Sequence, residues 1–121
     1  MKKLLVLATL VALLGCAEKK AATPEEKWKG YCTSIGNAAR TITLDRQNGI
    51  TKKEALDYAN KVTDLTTKTF LLSQIDKVYA LTDEQLKSDK DAIMTQIKES
   101  ATQECINTPH DPNKMPDYKP F

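Results

Sequence analysis

The chain is poor in the groups that carry out chemistry. Its 121 residues include one histidine, His110, and only two arginines, Arg40 and Arg46. His110 lies between prolines near the C-terminus, where no rigid element would hold it as a general base or metal ligand, so it is expected as a solvated loop residue. No H-E-x-x-H pattern, G-x-S-x-G elbow or phosphate-cradling glycine loop occurs. The acid pairs Asp89 and Asp91, and Glu25 and Glu26, sit among lysines and read as solvated faces. We therefore expect no catalytic residue, no metal ligand set and no cofactor. Alternating apolar and polar residues, the mark of a strand, are also missing, as are internal repeats.

Long apolar runs are scarce too, and the one present is informative. Lys2 and Lys3 precede an uncharged run of eleven residues, 4–14, with the small residues Gly15 and Ala17 behind it. That is the layout of an export leader, and it is too short for a membrane span, which needs about twenty residues. Within it the residues LLGC, 13–16, resemble the lipobox of bacterial lipoproteins, in which a small residue precedes a cysteine. The resemblance implies a diacylglyceryl group on the Cys16 thiol, cleavage between Gly15 and Cys16, and acylation of the new amino group. Residues 1–15 would then be the signal peptide, and the membrane would be reached through the lipid on Cys16. The alternative is an ordinary secretory peptide cut after Ala17. By the sorting pattern usual for enterobacterial lipoproteins, Ala17 in place of an aspartate implies the outer membrane. The body would face the periplasm or, alternatively, the cell surface.

Loss of the leader removes the apparent basicity. The net charge of +2 equals that of Lys2 and Lys3, so the remainder carries equal numbers of basic and acidic side chains. A neutral, well-mixed chain lacks the basic stripe that nucleic acid requires and the polybasic patch that holds a protein on anionic lipid. Nucleic acid is therefore not expected as a partner. With Cys16 assigned to lipid, Cys32 and Cys105 remain, in an oxidising compartment where two thiols are expected to pair. Two unpaired buried thiols are the alternative.

Apolar residues in the body recur at helical spacing. Residues 16–26 form the lipidated cysteine and a polar tether interrupted by Pro24, residues 27–106 a helical domain, and residues 107–121 an arm with four prolines. Trp28, Tyr31, Cys32, Ile35, Ala38, Ala39 and Ile42 share one face of a first helix over about residues 25–47, which Asn48 and Gly49 end. Thr51 and Glu54 read as a capping box for a second helix that turns Ala55, Leu56, Ala59 and Val62 inward. Threonine-rich residues 63–69 predict a kink or a short turn. Phe70, Leu71, Leu72, Ile75, Val78 and Tyr79 predict the most apolar helix. Thr82 and Gln85 cap a last one, carrying Leu86, Ile93, Ile97, Ala101 and Cys105 on one stripe with Met94 beside it. The predicted fold is all-α, a small antiparallel bundle of three to four helices whose first and last members are joined by Cys32–Cys105.

A wider resemblance rests on IGNAARTI behind Cys32, on RQNGITKKEAL, on IDKVYAL and on the final helix ending at Cys105. Cys32, Ile35, Ala39, Arg46, Gln47, Gly49, Glu54, Ile75, Val78, Tyr79 and Cys105 make the chain similar to a loose group of small exported helical proteins of Gram-negative bacteria, phages and plasmids. The resemblance implies the bridged helical fold and no particular activity; many such proteins carry an ordinary cleavable signal in place of a lipobox. The expected function is a lipid-anchored, non-enzymatic envelope protein that binds an unidentified envelope protein. A phage or plasmid exclusion lipoprotein, blocking superinfection or conjugation, is the alternative. Two residues are candidate partner contacts. Arg46 either reaches the last carbonyls of its helix or meets a partner at the loop tip, and Tyr58 lies off the apolar stripe. Trp28 and Tyr31 are expected in the core, and the terminal YKPF, residues 118–121, on the chain's own bundle.

Overall fold

Every helix in the described part of the chain opens on a side-chain oxygen. The computed structural model describes residues 22–116, which form α1 Pro24–Gln47, α2 Lys52–Ala59, α3 Leu65–Ala80, α4 Asp83–Ser88 and α5 Lys90–Ile106, with no strand. The N-caps are Thr23, Thr51, Asp64, Thr82 and Asp89, each accepting a bond from a backbone N–H in the first turn. Pro24 sits at the first helical position, where its fixed φ suits the helix and its missing N–H would have found no helical partner. Pro24, expected to interrupt the tether, is therefore the first residue of α1, whose bounds otherwise match the expected 25–47. At the far end of α1, Gly49 takes a φ of 92°, the left-handed stop that its lack of a Cβ permits.

The all-α fold and its bridge are as expected, while the helices among the described residues number five. The predicted last helix is broken at Asp89, whose φ of −153° and ψ of 96° are extended. Its carboxylate accepts from Ala92 N at 3.1 Å and starts a new helix. Restarting shifts the buried stripe: Met94, Ala101 and Cys105 are buried, with Ile93 and Ile97 only partly so. The chain breaks rather than kinks here: residues 60–64 separate α2 from α3, and residues 65–69 are already helical, because Asp64 caps α3 and draws Thr67 into it. Asp64 Oδ2 accepts from Thr67 N at 2.9 Å and from its hydroxyl at 2.5 Å. That hydroxyl has one proton to give, so the 2.8 Å contact with Tyr31 is donated by the tyrosine.

Cys32 and Cys105 are bonded, with Cα atoms 5.3 Å apart, and join α1 to α5. These two helices form the most extensive contact in the bundle; α3 packs on α1, and α2 rests on α3. The α1–α5 approach is close enough that a Cβ on Gly36 would stand 1.9 Å from Thr102 Oγ1 and 2.8 Å from the Lys98 carbonyl oxygen. Two apolar clusters result. Around the bridge, Trp28, Tyr31, Cys32, Ile35 and Cys105 are buried, with Phe70, Ile106 and Met115 against them. Further along α1, Ala38, Ala59, Leu71 and Ile75 form the second.

Candidate functional site

The sequence-predicted site residues scatter over the molecule. Gly15 and Cys16, together with the terminal residues 118–121, lie outside the described residues. Cys32 and Cys105 are fully buried structural groups, and Trp28 Nε1 donates to the Cys105 carbonyl at 3.2 Å. His110 is not simply solvated: its ring stacks on Trp28 at 4.0 Å between centroids and 9° between planes. The arm up to Pro116 therefore lies on the bundle, with Met115 reaching the bridge cluster.

Arg46 neither serves its own helix end nor stands free. Its guanidinium donates to the Val78 carbonyl near the end of α3, lies 3.8 Å from Asp83 and sits 5.4 Å from the centre of the Tyr79 ring. Gln47 Nε2 donates to the Leu86 carbonyl at 3.4 Å, and the Tyr79 hydroxyl donates to the Ile50 carbonyl at 2.6 Å. These bonds pin the α1–α2 loop to the α3–α4 corner. Tyr58, by contrast, is 76% exposed.

Tyr58 stands on the rim of a groove of about 280 Å³ between α1 and α2. Leu71 and Ile75 of α3 lie beneath it, and Ala38 and Ala59 line its facing walls. The space follows from packing and side-chain size: α1 and α2 are each seated on α3, and alanines at 38, 55 and 59 are too small to fill the gap between them. Ile50 and Ile42 complete the apolar lining. The pinned loop fixes Ile50 in place, so the groove is built into the fold.

Two carboxylates interrupt this apolar surface, Asp45 from α1 and Glu54 from α2, and no lysine or arginine lines the groove. Among the described residues the ion pairs are Arg46–Asp83, Lys52–Asp76 and Lys77–Glu104, so neither groove carboxylate is in one. Burial raises the pKa of Asp45 above its ordinary value. The nearby Tyr79 hydroxyl is raised first by burial, then by the negative charge of Asp45, against an opposing effect of Arg46 and with a further rise from Glu54. Glu54 was legible in the sequence only as a helix cap. Its place opposite Asp45 depends on the packing of α2, which no local motif encodes.

Among the described residues, no three His, Cys, Asp or Glu side chains are grouped to hold a metal ion, and no helix is long and apolar enough to cross a membrane. Comparison with protein-family models, curated proteins and solved structures finds no match to the chain.

Proposed function

We propose that this protein is a non-enzymatic lipoprotein of a Gram-negative outer membrane, anchored through Cys16, whose helical body binds another envelope protein. The observation that carries the reading is LLGC directly behind an eleven-residue apolar run. The Cys32–Cys105 bond supports the export half, because such bonds persist in oxidising compartments. Tyr58 supports the binding half: a large aromatic left in water beside an apolar groove resembles the anchors that dominate protein interfaces. The lipid supplies position, and the bundle supplies a surface.

Metabolic labelling with radioactive palmitate tests the anchor. The wild-type chain takes label and fractionates with the outer membrane, while Cys16→Ser stays uncleaved and unlabelled. Label persisting on Cys16→Ser would contradict the assignment. Photo-crosslinking in cells from positions around the body should capture one abundant envelope protein, and an absence of crosslinks from every position would remove the binding half.

A further inference from the structure

We propose that the α1–α2 groove is a docking site for an amphipathic helix of a partner protein, one that carries a lysine or arginine beside its apolar anchors. The proposal deepens the binding half of the function above and rests on it. Three observations favour this occupant. At about 280 Å³ the groove falls just under the range of small-molecule sites, so it suits one or two apolar side chains presented by a larger partner. Its only charged lining residues are Asp45 and Glu54, one on each wall, and both lack an ion pair among the described residues. A cation placed between them gains two opposite charges, and an acidic segment meets repulsion from both walls. Finally, the described chain has no strand to extend, whereas a trough between two helices over a third is the shape that receives a helix.

The rim suits recognition as well as fit. Tyr58 is a rigid aromatic with little conformational freedom to lose on binding, and Ile50 beside it is held by the Tyr79 hydrogen bond. The walls and floor are complementary in kind: Ala38, Ala59 and Ile75 are at most 5% exposed, yet they border open space. An anchor side chain entering there meets an apolar surface already formed.

The test uses the whole chain as cells produce it, with the Cys32–Cys105 bond intact, in a neutral detergent and with alanine methyls isotopically labelled. Three fluorescent peptides serve as probes: an amphipathic leucine–lysine helix, its leucine–glutamate counterpart, and a leucine–lysine peptide of the same composition scrambled to abolish amphipathicity. The leucine–lysine helix should shift the methyls of Ala38, Ala55 and Ala59 and leave Ala101, in the α1–α5 seam, unmoved. Anisotropy should show its binding weakened about tenfold by Glu54→Lys and about as much by Tyr58→Ala, both exposed substitutions that spare the core. Equal binding of the leucine–glutamate or scrambled peptide, methyl shifts away from the groove, or no binding of any peptide would each overturn the proposal. The two readings fail separately. Crosslinks in cells from Arg40, on the α1–α5 face, but none from Tyr58 would leave the binding module standing and remove the groove. Groove binding without lipid on Cys16 would do the reverse to the anchor.

Discussion

Where α1 begins, Trp28, Tyr31, Cys32 and Ile35 are sealed against Cys105 by a covalent bond, a ring cluster and the C-terminal arm. Farther along the same helix, Ala38 and Ile42 face a gap, and the neighbouring α2 buries only Ala59. One region is filled by large side chains and crosslinked; in the other, alanines leave a groove between α1 and α2, with two carboxylates outside any ion pair among the described residues. The difference shows how a small body divides its work. A core this size is marginal on its own, so the closed end supplies the stability that lets the other end leave apolar surface in water.

Breaking the closed end should have the largest effect. The bridge spans 73 residues, and replacing Cys32 and Cys105 with serine should cost about 4 kcal/mol on the chain-entropy estimate, read as a fall in the urea midpoint. Gly36→Ala comes next. Its new methyl has to displace Thr102 and also meets the Lys98 carbonyl oxygen, so a loss of about 1–3 kcal/mol is expected in the same measurement.

Paired tyrosine variants then sharpen the contrast between the ends. Tyr31→Phe removes the bond to the Thr67 hydroxyl inside the closed cluster and should cost about 1 kcal/mol. Tyr58→Ala removes a far more exposed ring and should stay within about 0.5 kcal/mol of wild type, while weakening binding of the leucine–lysine helix.

Acid titration gives the smallest effect, with opposite signs at two carboxylates. The hydrogen bond from Lys77 holds the pKa of Glu104 below its ordinary 4.5, opposed by burial and aided by Gln74. Its contribution is thus present above 4.5 and is lost as pH falls through its lowered value. Both side chains are about half exposed, so the loss is small. Asp45, raised above 3.8 by burial, works the other way: its ionised form costs stability, and that cost lifts as pH falls through the raised value. Glu104→Gln should flatten the acid limb of a melting-temperature profile, and Asp45→Asn should slightly raise stability near neutrality.

Local chemistry made much of the helical framework legible in the sequence. The Asn48–Gly49 stop, the threonine caps at 51 and 82, and the stripe from Trp28 to Ile42 each depend on neighbours within a few residues. The cysteine pairing follows from counting thiols and from the export that the leader leads one to expect. The break at Asp89 has no signal in the stripe, because the seven-residue spacing from Leu86 to Ile93 fits an unbroken helix as well as a restarted one. Thr67 belongs to the start of α3 because its hydroxyl, which weakens a helix interior, strengthens a start when it donates to Asp64 and accepts from Tyr31. His110 and Arg46 act across the fold, on Trp28 and on Val78, at separations no local pattern carries. The groove was the least legible feature. Alanines at 38, 55 and 59 read as ordinary inward residues, and only the position of α2 over α3 turns their small size into open space.

Native-state hydrogen exchange on the oxidised chain tests the division between closed and open ends most directly. Amides of α2 should exchange through local openings well below the global unfolding free energy, while those around Cys32 in α1 and Ala101 in α5 should exchange only by global unfolding. If α2 proved as strongly protected as the α1–α5 seam, both ends would be equally closed and the account would be contradicted.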